Sequence, residues 1–118
     1  MGVPADPRRF ASDWTAAWNR RDLDFVLALF GDSMRFHSPL IPLYTGEPSA
    51  CLVGKPAVRA YWEAALARLP DLQFEHLDVL TGVDCLAILS RGHKGLTAEY
   101  LHFGPDGKAD EGRGLYAV

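Results

Sequence analysis

Ala17 to Pro39, AWNRRDLDFVLALFGDSMRFHSP, decides how this chain folds. It reads as a helix end, a tight connection, a second short helix, a turn and a strand. Asn19-Arg20-Arg21 closes the first helix. Asp22 is placed to cap the second, and Asp24 in its first turn suits the helix dipole. Phe25, Val26, Leu29 and Phe30 form the buried face of that helix, and Gly31 is expected to stop it. Met34, Phe36 and Ser38 then alternate with Arg35 and His37, the period of a strand, which ends at Pro39.

Upstream, Asp6-Pro7 supplies an N-cap and a first helical residue. Phe10, Trp14, Ala17 and Trp18 follow as one apolar stripe. Downstream, residues 39–54 hold three prolines and two glycines. They read as a loop or lid with short extended pieces around Leu43-Tyr44 and Cys51-Leu52. Pro56 then opens a helix, and Pro70 stops it. Between them Val58, Tyr61, Trp62, Ala65, Leu66 and Leu69 recur at i, i+3, i+4, i+7, i+8 and i+11, the clearest amphipathic pattern in the chain.

From Leu72 onward the period becomes that of strands, expected near 72–81, 85–91, 96–103 and 111–118. Gly82-Val83-Asp84 and Gly104-Pro105-Asp106-Gly107 mark turns, and Arg91 to Gly95 a looser one. Helices first and strands last make the class α+β. Cys85-Leu86-Ala87-Ile88-Leu89 is apolar on both strand faces, so both need cover. Helices serve one face. A second copy of the chain is the expected cover for the other, giving a homodimer through the sheet.

With 118 residues, the chain fits one domain over 1–118. Its net charge of −3 and scattered Lys and Arg argue against nucleic acid as a partner, because phosphate binding needs a basic patch. Two cysteines, Cys51 and Cys85, are too few for a secreted disulfide scaffold. The opening MGVPADPRRF lacks the apolar centre of a signal peptide, and no apolar run is long enough to span a membrane. A cytoplasmic protein is the expectation. The four histidines are widely spaced, with no metal-ligand pattern, and no glycine-rich phosphate loop occurs, so no metal or cofactor is expected. His76 and Asp78, two residues apart, share one strand face and could pair.

Several pieces together resemble the nuclear-transport-factor-2-like (NTF2-like) superfamily, which includes SnoaL-type polyketide cyclases and ketosteroid isomerases. These are the Trp-Asn-x-x-Asp-x-Asp connection, the Leu-Phe-x-Asp before the first strand, the Gly-Lys-Pro-Ala-Val-Arg-x-Tyr-Trp helix opening and the late Asp-Gly-Lys turn. The resemblance spans roughly residues 8 to 118. It implies three N-terminal helices packed on a curved antiparallel sheet, a cone enclosing a pocket. The superfamily does not share one reaction, so fold alone assigns no chemistry.

Laid over the isomerases, their oxyanion-binding tyrosine falls on Trp14, their carboxylate base on Ser38 and their protonated acid on Glu99. Ser38 cannot serve as that base, since a hydroxyl ionises far above neutral pH. Glu99, alternating inward with Leu101 and Phe103, becomes the candidate acid–base group. Trp14, Trp18, Phe36, Tyr61, Trp62, Phe74 and Leu101 are candidate walls for a small hydrophobic, carbonyl-type compound. Ser38, Tyr44 and Tyr116 are candidates to orient its oxygens. The resemblance implies cofactor-free proton transfer of the isomerase or cyclase type; the alternative is a non-catalytic, small-molecule-binding or accessory homodimer.

Overall fold

The computed structural model describes residues 2–118. Met1 of the opening stretch therefore lies outside the described residues.

Helix α1 (Pro7–Asn19) starts as its sequence dictates: the Asp6 carboxylate accepts from the Arg9 N–H at 3.1 Å, and Pro7 opens the first turn. Arg21, with φ of 64°, turns the chain into helix α2 (Leu23–Ala28). Asp22 caps that helix by accepting from the Phe25 N–H at 3.1 Å. Helix α2 stops earlier than its apolar pattern predicts. Phe30 belongs to strand β1 (Phe30–His37), where it pairs with Ala109, and Gly31 lies within the strand instead of capping a helix. The sheet claims Phe30 because its ring is then wholly buried in the core.

Residues 39–54 are more ordered than their prolines suggest. Leu43-Tyr44, expected to be extended, lies in a short helix, α3 (Ile41–Thr45), so the described residues form four helices instead of three. Pro42 suits the first turn of α3, and Gly46, with φ of 77°, ends it in the left-handed conformation that glycine adopts without strain. Strand β2 (Cys51–Val53) follows where an extended piece was expected. Helix α4 (Lys55–Arg68) buries Val58, Tyr61 and Trp62, but Ala65, Leu66 and Leu69 of the expected stripe are only partly buried, and α1 is the more sharply two-sided helix.

Four strands complete the chain: β3 (Glu75–Gly82), β4 (Cys85–Gly92), β5 (Gly95–Phe103) and β6 (Ala109–Tyr116). The sheet order is β2-β1-β6-β5-β4-β3. Neighbours are antiparallel except β1 and β6, which run parallel, so the sheet is mixed. The connection between β4 and β5 is tighter than expected, because Gly92 and Gly95 pair directly. A register shift between His76 and Asp78 breaks the alternation that was to place them on one face. Asp78 instead lies 3.9 Å from Arg8.

Helices cover one face of the sheet only. Leu86 and Ile88 of β4, Leu101 and Phe103 of β5, and Met34 and Phe36 of β1 point into a core shared with Trp14, Trp18 and Trp62. Cys85, Ala87 and Leu89 point the other way and are only partly buried. The side chain of Asn19 fixes the approach to β3. It donates to the Phe74 carbonyl at 2.9 Å and accepts from the Phe74 N–H at 2.8 Å, as a neighbouring strand does.

Candidate functional site

A partly enclosed cavity lies between the helices and the concave face of the sheet. Its volume is about 70 Å³, room for several waters. Its wall is aromatic. Trp14 and Trp18 come from α1, Tyr61 and Trp62 from α4, Phe36 from β1, and Phe74 from the segment before β3. Their rings lock one another: Trp18 meets Trp62 edge-on with centroids 5.0 Å apart, and Phe36 meets Trp62 at 5.3 Å. Tyr44 reaches in from α3 and Tyr116 from β6.

Glu99 enters this apolar space from the middle of β5. Its Oε2 is sealed from solvent and has no hydrogen-bond partner. Burial alone pushes its carboxyl up to about 8, because no cation stands close enough to offset the lost hydration. At neutral pH Glu99 therefore carries its proton. The same burial, with the Glu99 charge second among the causes, raises the Tyr116 phenol. Tyr61 is pushed up to about 12, chiefly by burial. Both phenols are therefore protonated at neutral pH.

Ser38 stands differently from the other candidates. It is buried, yet its hydroxyl does not reach the cavity wall. Ser38 Oγ accepts from the Tyr61 hydroxyl and from the Leu40 N–H, each at 3.1 Å. It thus holds Tyr61 and the turn after β1 in place and faces no ligand directly. Leu101 also misses the cavity. It shares the inward face with Glu99, but there Phe36 and Gly112 close the space against it. A Cβ on Gly112 would stand 3.0 Å from the Phe36 ring and 3.4 Å from Leu101.

Other cavity residues escaped the sequence reading. Thr97 and Ser90 line it from adjacent strands, and Leu40, Leu69 and Leu72 add apolar wall. Strand parity could have found Thr97, which lies two residues before Glu99 on the same face. His93, from the turn between β4 and β5, is the one histidine among the lining residues; burial and the neighbouring Lys94 charge lower its pKa. His37 and His102 lie on the other face, 3.5 Å from Glu111 and 2.7 Å from Asp110. Among the described residues no group of three His, Cys, Asp or Glu side chains could hold a metal ion.

Helices packed on one face of a sheet fit the α+β class expected from the sequence, with the β1–β6 pair parallel where an antiparallel sheet was expected. The family profile of the SnoaL-like domain matches residues 11–114, nearly the whole chain. The chain belongs to the SnoaL-like family. A SnoaL-like protein of unknown function from Burkholderia thailandensis is similar, at 45% identity with a TM-score of 0.86, covering 94% of this chain and 93% of that one. Two more distant structures share the fold. TerC, co-crystallised with polyporic acid, has a TM-score of 0.75 at 13% identity, with 95% and 92% of the two chains covered. SalBIII, an epoxide hydrolase/cyclase-like enzyme in pyran ring formation, has a TM-score of 0.68 at 14% identity, with 94% and 90% covered. No curated protein matches the chain. No helix among the described residues of this SnoaL-like protein is long and apolar enough to cross a membrane.

Proposed function

We propose that this SnoaL-like protein binds a small hydrophobic carbonyl compound in its cavity and moves a proton on it without a cofactor, as an isomerase or cyclase does. The observation that carries this reading is the uncompensated carboxyl of Glu99 among aromatic rings. A protonated carboxyl in an apolar site donates a hydrogen bond to a carbonyl oxygen far more strongly than in water. Glu99 gives its proton as charge develops on that oxygen. The resulting carboxylate recovers a proton from the substrate, which leaves the protein unchanged, as isomerisation or ring closure requires. Tyr116 and Tyr44 orient the oxygen, and Ser38 acts one step behind by holding Tyr61. The aromatic walls and the distant ring-forming relative SalBIII fit this reading.

Carboxyl-carbon NMR titration tests it directly. Glu99 should titrate near pH 8, and Glu99→Gln should abolish turnover of whatever ketone co-purifies while leaving the fold intact. A Glu99 midpoint at the ordinary 4.5 removes it as the acid–base group. A non-catalytic binding protein is the second reading. It is favoured by Ser38, which at the base position of the related isomerases is committed to Tyr61 and Leu40.

A homodimer through the sheet is part of the same proposal. The register puts Leu80, Ala87, Leu89, Leu96, Ala98 and Leu115 together on the face that no helix covers. Leu80, Leu96 and Leu115 are each at least half open there in a single chain. Arg35, His37, Glu111 and Arg113 flank them with both signs of charge, which suits a self-complementary contact. A cytoplasmic location accords with the unpaired Cys51 and Cys85.

A further inference from the structure

The concave face carries a row of polar groups in which only Tyr116 serves the Glu99 chemistry. Tyr116, Thr97, Ser90 and His76 are cross-strand neighbours in one row over β6, β5, β4 and β3. Thr97 and Ser90 are buried and line the same cavity as Glu99. Thr97 Oγ1 donates to the Ser90 carbonyl at 3.3 Å, so its proton is spent and its oxygen can only accept. Ser90 Oγ makes no side-chain hydrogen bond among the described residues and is free to donate or accept. Next to it, His76 Nδ1 is sealed without a partner. The row therefore holds more hydrogen-bonding capacity than the protein itself satisfies, in an interior where such capacity is normally used up.

We propose that Ser90 and Thr97 form a second polar subsite that takes a hydroxyl group of the ligand whose carbonyl lies at Glu99. A ligand O–H donates to Thr97 Oγ1 and accepts from Ser90 Oγ. Thr97 and Glu99 are two residues apart on one strand face, on the order of 7 Å along it. The substrate class narrows from a hydrophobic ketone to a flat hydroxy-ketone, with its two oxygens at opposite ends of a ring. This inference rests on the carbonyl-binding reading above.

The probes are para-hydroxyacetophenone and acetophenone, which differ only in the hydroxyl. Binding is read by quenching of Trp14, Trp18 and Trp62, whose rings line the cavity. The wild-type protein should bind the hydroxy-ketone roughly three- to tenfold more tightly, the effect of one well-made hydrogen bond. In the double variant Ser90→Ala/Thr97→Val that ratio should fall to near one. A wild-type ratio of one, or a ratio that survives the double substitution, overturns the subsite and leaves the carbonyl reading standing. Loss of both ketones by the double variant also overturns it, because the two side chains would then be structural. Failure of the wild-type protein to bind either ketone overturns the carbonyl reading itself.

Discussion

Glu99 ties the cavity to the stability of the whole protein. Its carboxyl ionises near 4.5 in an unfolded chain and near 8 in the fold. Between those values the unfolded state releases a proton that the folded state keeps. Stability from this group is therefore fully present below about pH 4.5 and is lost as pH rises towards about pH 8. At about 1.4 kcal/mol for each pH unit, the loss approaches roughly 5 kcal/mol as an upper bound. Denaturant unfolding at the two ends of the window should show the slope, and Glu99→Gln should flatten it. An equal slope in the variant assigns the effect to other groups.

At the scale of elements, β6 shapes the cavity by what it lacks. Gly112 leaves room for the Phe36 ring, and Gly114 for the Tyr116 hydroxyl, which a Cβ would meet at 2.9 Å. Gly112→Ala should destabilise by roughly 1–3 kcal/mol, the usual cost of overpacking a filled core, measured by thermal or denaturant unfolding. A variant as stable as the wild type would mean that Phe36 has space to retreat. Both helix caps, Asp6 and Asp22, were legible in the sequence because capping is a local interaction. Residues Phe30 and Tyr44 were not. Phe30 fits a helix pattern and a strand equally, and the partner that decides is Ala109, far along the chain. Tyr44 sits between Pro42 and Gly46, which signal a turn without saying that it is helical. Glu99 could be singled out as a lone carboxylate among apolar residues. Ser90, also inward-facing, could not, because a serine in a strand is equally at home facing water.

The molecule as a whole presents two unlike faces of one sheet, one roofed by helices and one bare. Sedimentation velocity should find a particle of twice the 13.0 kDa chain mass. Leu96→Glu together with Leu115→Glu should give monomers without loss of fold, since both side chains are about half exposed within one chain. A monomeric wild type at micromolar concentration would overturn the dimer. The parallel pairing of β1 with β6 carries a different consequence. On a translating ribosome, β1 and the cavity wall it bears emerge long before the strand that must lie beside them. One edge of β1 pairs early with β2, but on the other edge Arg35, Phe36 and His37 wait for Glu111, Gly112 and Arg113. Nascent chains are thus left with an unpartnered strand edge and an open aromatic interior until synthesis is nearly over, the interval in which association with the wrong neighbour is hardest to avoid.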